Sequence, residues 1–293
     1  MMAGVVGRPD ASVSAGSQVG ADEAAGDRLA GVAVVSQPLV PEPLVPEPRG
    51  GARYRTTMRV RLADADPEGR MRFDAIARFL QDVSTEDTER SEHHAGLIWV
   101  ARRITIDVVR FPEYLETLEL ATWCGGVGGR WAERRVSIRG DGGAAVEAAT
   151  LWVLVDGSGT PTKLPDDLVA QLRETAGDRK VSARLTIPGP DAACEERGPW
   201  VVRRCDLDLM GHANNAGLWA VAEADLGDLP VEPPAPLRAQ IEFSREVLAA
   251  EALTVLRSPP APEAAVGSAW SGVRRWWLRS DAGVHAAIAV GPR

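Results

Sequence analysis

The stretch D-L-D-L-M-G-H-A-N-N, residues 206–215, repeats an earlier stretch of the chain, D-A-D-P-E-G-R-M-R-F, residues 64–73. Two aspartates and a glycine recur at matching positions when the sequence is aligned on itself with an offset of 142. In that alignment Arg70 stands opposite His212. The repetition indicates that one structural unit is present twice in the chain.

Two further pairs of stretches repeat at nearly the same spacing. Residues 139–156 and 279–293 each show an alternating strand, an Asp/Gly turn and a second alternating strand, which predicts a hairpin. Residues 108–123 and 241–256 are each predicted to form a pair of strands around a short turn. Apolar residues at helical spacing behind each corner predict one long helix per copy. In the first copy these residues are Ile76, Phe79, Leu80 and Val83.

These elements predict an α+β fold in which each copy wraps a curved antiparallel sheet around a central helix. Each sheet alone would expose an edge, and pairing the copies edge to edge covers it, so the chain is predicted to be an intrachain pseudo-dimer. The predicted boundaries are a disordered Pro-, Ala- and Gly-rich tail at 1–52, a first copy at 53–160, a linker at 161–197 and a second copy at 198–293. A short helix is predicted in the linker at 165–176.

Composition and charge exclude several classes of protein. A net charge of -8 argues against nucleic-acid binding, and the sequence has no run of about 18 apolar residues that would span a membrane. The cysteines Cys124, Cys194 and Cys205 fit free thiols in a reducing compartment, and no targeting signal is recognised, so a cytoplasmic location is expected. Arginine clusters at 53–61 and 133–139 are predicted to face solvent on alternating strands, with binding of an acidic partner as the alternative.

From residue 53 onward the sequence resembles the acyl-[acyl carrier protein] thioesterases, a family of double hotdog proteins. Residues 206–219, D-L-D-L-M-G-H-A-N-N-A-G-L-W, are similar to the family's D-L-D-x-N-x-H-V-N-N-x-x-Y block. Residues 241–247, I-E-F-S-R-E-V, are similar to the family segment that carries a catalytic acid. The resemblance implies a tandem hotdog fold, and it places Asp208 and His212 in the catalytic group with Glu246 as the later acid.

The activity that this resemblance implies is hydrolysis of acyl-[acyl carrier protein] to free fatty acid and carrier protein in fatty acid biosynthesis. Acyl carrier protein is then the expected partner, and because the carrier is acidic an arginine-lined mouth would suit it. Four positions depart from the family pattern, since Met210 replaces an Asn, Val247 replaces a Cys, and Gly217 and Leu218 replace a Lys-Tyr pair. An acyl-CoA thioesterase and a catalytically inactive acyl-thioester-binding protein are therefore kept as alternatives. Further association into a homodimer stays open.

Thioester hydrolysis requires an activated water or a carboxylate nucleophile, together with donors for the developing oxyanion. Asp208 or Glu246 is predicted to take a proton from water, with direct attack by Asp208 as the alternative. The backbone N–H of Gly211 or His212 at the helix start is the predicted oxyanion donor. The motif therefore predicts both chemical functions within a few residues.

Purely structural roles compete with these assignments. Asn214 and Asn215 are candidate oxyanion or substrate-binding residues, or they order the start of the helix. Asp208 alone would also serve as a helix N-cap. Glu246 would also fit a solvated glutamate paired with Arg245.

The first corner keeps Asp66 and Gly69 but has no histidine, so it is predicted to be a vestigial site. The first copy would then shape the acyl-chain pocket, unless its apolar helix face is ordinary core. The pair H-H at 93–94 is predicted to be a solvated loop, and G-G-V-G-G at 125–129 a bulged strand or turn. Neither a metal nor another cofactor is expected.

Overall fold

The computed structural model describes residues 47–48, 50–90, 97–226, 236–249, 251–259 and 272–293. Nearly all of the predicted tail at 1–52 and the histidines at 93–94 lie outside the described residues. The first copy contains β1 (Tyr54–Arg59), α1 (Phe73–Glu89), β2 (Ile98–Arg110), β3 (Thr117–Val127), β4 (Trp131–Gly140) and β5 (Ala145–Val155). The linker helix is α2 (Asp166–Ala176), as predicted. The second copy contains β6 (Glu195–Trp200), α3 (Ala220–Leu226), β7 (Leu237–Phe243), β8 (Leu253–Arg257), β9 (Arg274–Ser280) and β10 (Gly283–Pro292).

Among the described residues, ten strands form a single sheet in the order β1-β3-β4-β5-β2-β7-β10-β9-β8-β6. The second half of this order mirrors the first, because β6 to β10 take the places of β1 to β5. The strands β2 and β7 pair antiparallel at the centre, from Arg103 opposite Glu242 to Val108 opposite Leu237. The predicted α+β architecture, with two repeated sheets joined edge to edge, is confirmed.

The predicted local pairings are confirmed in part. The hairpins β4–β5 and β9–β10 form as expected, and G-G-V-G-G lies where β3 bulges near Cys124 and turns into β4. The stretches at 108–123 and 241–256 are not strand pairs, however, because β3 pairs with β1 and β4, while β2 pairs with β5 and β7. Each short turn there connects two strands that are not neighbours in the sheet.

Two buried carboxylates stabilise the seam between the copies. Asp107, which is fully buried, accepts hydrogen bonds from Arg238 Nε at 2.7 Å and Nη2 at 2.8 Å. Glu242, 1% exposed, accepts the backbone N–H groups of Thr186 and Ile187 at 2.8 to 3.0 Å. Each carboxylate is thus compensated by several donors, as burial of a charge requires. The linker is held against the sheet at this seam.

The central helices differ between the copies. In α1, 17 residues long, the apolar residues predicted to face inward are all buried. The second copy has, within its described residues, a 3-10 turn at Gly217–Trp219 and then the seven-residue α3. The long helix predicted there is not observed over these residues, since Gly217 stands at its start and Gly227 and Pro230 follow its end.

One continuous hydrophobic core runs through both copies. At its centre Phe73, the first residue of α1, stacks on Trp219 of the second copy, with ring centroids 5.4 Å apart and an interplanar angle of 27°. Both side chains are buried, at 2% and 0% exposure. The start of α1 therefore packs against the segment that leads into α3.

The two arginine clusters differ in exposure. In β1 the burial alternates, and Arg55 and Arg59 face solvent as predicted. In 133–139 the prediction holds for Arg139, which is exposed, and is wrong for Arg135, which is 6% exposed and whose Nε donates to Glu133 at 2.9 Å. Arg179 of the linker also binds Glu133, at 2.7 Å, so the linker covers that face of β4. Of the described helices, none has the length and apolarity to cross a membrane.

Candidate active site

The two repeated corners, residues 66–70 and 208–212, fold into the same turn. In each, the backbone N–H of the aspartate donates to the carbonyl of the last residue of the turn, at 2.8 Å in both copies. The glycine N–H donates back to the aspartate carbonyl, at 3.0 Å in the first corner and 3.1 Å in the second. Gly69 has a φ of 89° and Gly211 a φ of 79°, a region that favours glycine. Aspartate and glycine therefore recur because the turn itself requires them.

The aspartate of the second corner keeps one oxygen open, whereas that of the first does not. Asp208 Oδ1 accepts the backbone N–H groups of Met210 at 2.9 Å and His212 at 3.1 Å, and no described residue donates to Oδ2. Asp66 Oδ1 likewise accepts the Arg70 N–H at 2.8 Å, but the Arg70 guanidinium binds Oδ2 through Nε and Nη2, both at 2.9 Å. An arginine thus neutralises the first carboxylate and occupies its free face, which is consistent with a vestigial site.

A histidine and a glutamate meet beside the second corner. His212 Nε2 lies 3.1 Å from Glu246 Oε2, and the two side chains are 31% and 60% exposed. The segment that carries Glu246 is held against the corner by the backbone, since Ala213 N–H donates to Val247 O at 2.8 Å and His212 bridges to Leu248. The structure therefore brings Asp208, His212 and Glu246 into one solvent-accessible group. The ion-pair contact of Glu246 is with the histidine.

The first copy has a different pair at the same place. The Glu113 N–H donates to the Glu116 carboxylate at 2.9 Å, and the Leu248 N–H donates to the Glu251 carboxylate at 3.0 Å in the same way. This match places Phe111 at the position of Glu246. The Arg70 guanidinium carbon lies 5.4 Å from the centroid of the Phe111 ring, in a cation–π contact. An arginine–phenylalanine pair thus stands where the second copy has histidine and glutamate.

The predicted oxyanion donors are already engaged. The Gly211 N–H donates to Asp208 O, and the His212 N–H donates to Asp208 Oδ1. Neither is available to a ligand while the turn keeps this form, so the prediction that one of them is a free donor needs correction. The reason is that the tight turn pairs these N–H groups with the carbonyl and carboxylate of Asp208. At the start of a helix they would have been unpaired.

The two asparagines have separate surroundings. Asn214 Oδ1 accepts the Ala216 N–H at 2.9 Å and Gln81 Nε2 at 3.2 Å, so this side chain orders the start of the 3-10 turn and connects it to α1. Asn215, in contrast, lines a cavity together with Asp208. The backbone N–H of Asn215 donates to no described residue.

The cavity has a volume of about 820 Å³ and extends from Asp208 into the first copy. Besides Asp208 and Asn215, its walls come from α1, from strands β2 to β5 and from α2. These residues are Gln81, Asp82, Ser84, Thr85, Thr88, Glu89, Trp99, Cys124, Ala132, Glu133, Arg134, Trp152 and Leu172. The apolar face of α1 points instead into the core. The first copy thus lines the cavity, but with the opposite side of its helix.

The cavity contains a cysteine that is unsuited to nucleophilic attack. Burial raises the pKa of the Cys124 thiol to about 11, so it stays protonated near neutral pH. Across the ranges that the structure describes, no group of three or more His, Cys, Asp or Glu side chains is placed to hold a metal ion. The cavity wall carries several carboxylates, among them that of Asp208.

A partly buried glutamate, Glu223, occupies the place in α3 that Gln81 has in α1, 142 positions earlier. Gln81 reaches the second corner through Asn214, and Glu223 reaches the first corner by accepting the Phe73 N–H at the start of α1. Burial raises the pKa of Glu223 to about 7, and the nearby Asp74 and Asp66 add to the rise. Each copy therefore supports the corner of the other through one side chain.

We expect Glu223→Gln to stabilise the protein at alkaline pH. Because the folded-state pKa lies above the ordinary 4.5, the stability that Glu223 contributes is complete below pH 4.5 and is lost as the pH rises through 7. Glutamine stays neutral and keeps an acceptor for Phe73. Relative to wild type, the free energy of unfolding of the variant should rise by about 1–2 kcal/mol when the pH is raised from about 5 to about 8.5. Thermal unfolding at the two pH values measures this gain.

The matched control for this prediction is Glu68→Gln, which removes one exposed negative charge from the same corner. Its midpoint should track that of wild type across the pH range. Equal pH dependence of wild type and Glu223→Gln would contradict the assignment of the titration to Glu223.

The sequence and the fold were compared with those of known protein families and solved structures. The family model described as the acyl-ACP thioesterase N-terminal domain matches residues 51–172. An uncharacterized protein of Mycobacterium tuberculosis is 31% identical over 206 residues, which make up 69% of this chain and 81% of that protein. The 12:0-ACP thioesterase from Umbellularia californica superposes with a TM-score of 0.67 at 18% identity, covering 83% of this chain and 97% of that one. An acyl-ACP thioesterase from Bacteroides thetaiotaomicron gives a TM-score of 0.63 at 14% identity over 81% and 96%.

The shared fold is the double hotdog of thioester hydrolases, with two curved antiparallel sheets joined edge to edge. The chain belongs to the acyl-ACP thioesterase family. The family resemblance drawn from the sequence is thereby confirmed.

Sequence reasoning missed Gln81, which connects α1 to the second corner through Asn214. The self-alignment contains a signal for it, because the same offset that pairs Arg70 with His212 also pairs Gln81 with Glu223. Polar residues at matching helix positions are unusual beside an apolar core, and this would have marked both as corner contacts.

Proposed function

We propose that this chain hydrolyses acyl-[acyl carrier protein] to a free fatty acid and the carrier protein, in fatty acid biosynthesis in the cytoplasm. Asp208, His212 and Glu246 form the catalytic group, and the 820 Å³ cavity receives the acyl chain. The observation that carries the proposal is the open oxygen of Asp208 at one end of this cavity, beside the His212–Glu246 pair, in one copy only.

The geometry suits attack on a thioester carbonyl placed at the mouth of the cavity. Two backbone N–H groups fix Asp208 Oδ1, so Oδ2 is directed by the turn and is the oxygen that takes a proton from water or attacks the carbonyl. Glu246 holds His212, which orients the water or the carbonyl. The backbone N–H of Asn215 is the donor for the developing oxyanion.

Met210 is compatible with this chemistry. Its side chain is 58% exposed, while its backbone N–H binds the Asp208 carboxylate. The carboxylate is therefore oriented by the backbone, and no side-chain amide is required for that purpose. Val247 is 3% exposed and packs in the core, where its carbonyl accepts the Ala213 N–H.

The carrier protein is the proposed partner because of the residues around the site. Arg204 and Arg245 are exposed, and they lie on the two segments that carry Asp208 and Glu246. An acidic carrier would meet positive charge there as its acyl group enters. The overall charge of -8 makes such local attraction more important.

The test is the rate of thiol release from matched acyl groups on carrier protein and on coenzyme A, over a series of chain lengths. We expect turnover with the carrier substrates, with kcat/KM at least about tenfold higher than for coenzyme A, since about 1.4 kcal/mol of carrier contact is sufficient for that factor. Higher salt should reduce the ratio of kcat/KM for the carrier substrates to kcat/KM for the coenzyme A substrates, because salt screens the charge of the arginines.

Two results would replace the proposal. Equal or faster turnover of the coenzyme A esters would establish the acyl-CoA thioesterase alternative. Acyl-thioester binding without any thiol release by the wild-type chain would establish the inactive binding protein.

A further inference from the structure

The second copy contains a buried histidine, His285, outside the catalytic group. It lies in β10, is 2% exposed and belongs to the hairpin β9–β10. Its Nδ1 lies 2.6 Å from the backbone carbonyl of Glu246, and its Nε2 lies 2.7 Å from Ser280 Oγ. Both ring nitrogens are therefore engaged, one of them on the main chain of the residue that contacts His212.

The tautomer of His285 follows from its partners. A carbonyl oxygen only accepts, so Nδ1 carries the hydrogen and donates it to Glu246 O. Nε2 is then the acceptor for the hydroxyl of Ser280, whose oxygen accepts the Ala282 N–H at 3.1 Å. The Glu251 carboxylate lies 3.6 Å from Nδ1 and favours the same tautomer. The ring is thus fixed as a donor aimed at Glu246.

The main chain of His285 holds the same segment from its other side. The carbonyl of His285 accepts the Ser244 N–H at 2.7 Å and the Arg245 N–H at 3.3 Å. Together with the ring contact, three hydrogen bonds from one residue fix the backbone from 244 to 246. The Glu246 side chain is 60% exposed, and among the described contacts its carboxylate meets only His212, so its position depends on this backbone.

His285 is presented by a bulge that the first copy lacks. The β9–β10 ladder shifts register between Val284 and Ala286, with His285 as the extra residue. The corresponding part of the β4–β5 ladder runs without a shift, since Ala145 pairs with Arg139 as Val284 pairs with Arg279. The first copy thus has no counterpart of the bulged residue in its ladder, and the sequence alignment at an offset of 140 sets Ala145 opposite His285. A bulge redirects a side chain that a regular strand would place elsewhere.

We infer that His285 is a positioning residue that holds Glu246 in place for its contact with His212. This inference rests on the proposed thioesterase function, because its readout is the turnover of the acyl substrate. The copy that contains the His212–Glu246 pair also contains the bulge and His285, and the copy with Arg70 and Phe111 has neither.

Three variants of the full chain test this role. His285→Leu keeps similar bulk but has no donor, whereas His285→Asn keeps an N–H donor close to the position of Nδ1. We expect His285→Leu to lower kcat by about tenfold or more, a part of what a positioned acid–base group contributes, with KM nearly unchanged. His285→Asn should restore most of the loss. In a Glu246→Ala background, His285→Leu should have little further effect on kcat, because the His212 contact that His285 positions is already absent.

The outcomes separate this inference from the function on which it depends. Absence of turnover by the wild-type chain would refute the thioesterase function itself. Wild-type turnover with an unchanged kcat in His285→Leu would overturn the positioning role alone. Equal losses in the Leu and Asn variants, or effects of His285→Leu and Glu246→Ala that multiply, would overturn the positioning role, since the histidine would then not act through Glu246.

Discussion

Asp208→Asn is expected to lower kcat for acyl-thioester hydrolysis by at least about a hundredfold, the lower end of what a positioned general base contributes. Asparagine retains an oxygen for the Met210 and His212 N–H groups, so the turn should form and the unfolding midpoint should change little. The amide cannot take a proton from water. Steady-state thiol release, measured with the unfolding midpoint of the same preparation, provides the check.

The matched control is Asp66→Asn, the same change in the other corner. Asp66 is already neutralised by Arg70, so kcat should stay close to that of wild type. Loss of activity in Asp66→Asn, with activity retained in Asp208→Asn, would move the active corner to the first copy.

The role of Asp208 as base or nucleophile can be separated by isotope transfer. In a single turnover in ¹⁸O-water, water activated by Asp208 places the heavy oxygen directly in the fatty acid. Direct attack by Asp208 expels the thiolate and forms a mixed anhydride. If water then attacks the Asp208 carbonyl, the first product carries an unlabelled oxygen from the carboxylate, whereas attack on the acyl carbonyl gives a labelled product. An unlabelled fatty acid from one turnover, identified by mass spectrometry, therefore establishes direct attack by Asp208.

Trp219→Ala is expected to have the largest effect on stability, with a loss of about 3–5 kcal/mol in the free energy of unfolding. The indole is fully buried and stacks on Phe73 between the two copies, so its removal leaves a cavity at the centre of the continuous core. Urea unfolding monitored by circular dichroism measures the loss.

Trp219→Phe is the informative companion variant. Among the described residues nothing accepts a hydrogen bond from Trp219 Nε1, so phenylalanine removes a buried unpaired donor while keeping an aromatic ring against Phe73. The gain from removing the donor partly offsets the lost volume, and the net cost should be about 1 kcal/mol or less. A cost similar to that of alanine would show that the donor has a partner in solution.

Much of the fold was predictable because the chain can be compared with itself. Matching corners and hairpins reveal the repeat, and alternation shows which faces of the strands are buried. Alternation does not show which strand is the neighbour, and so β2 and β3 were paired incorrectly. Alternation also gives no information about the linker. The linker brings Arg179 to Glu133, and Arg135 is therefore covered rather than exposed.

The sequence predicted which residues form the candidate site better than it predicted the contacts between them. The resemblance named Asp208, His212 and Glu246. In the structure the Asp208 carboxylate accepts the His212 backbone N–H, and the His212 ring lies 3.1 Å from the Glu246 carboxylate. Whether the Gly211 N–H is free depends on backbone torsions that residue types do not determine. His285 was missed although the offset of 140 sets it opposite Ala145, which is the same kind of contrast that singled out His212.

The central pairing of β2 with β7 joins two corners that belong to a single chain. In a symmetric dimer of one shorter chain, every substitution appears at both corners, so a change that improves one site alters its twin as well. In this chain the matching positions of the two corners are encoded separately and can differ, as Arg70 and His212 do. Covalent linkage also makes the partner corner always present, so the specific activity should not fall when the protein is diluted below the concentrations at which two-chain assemblies dissociate.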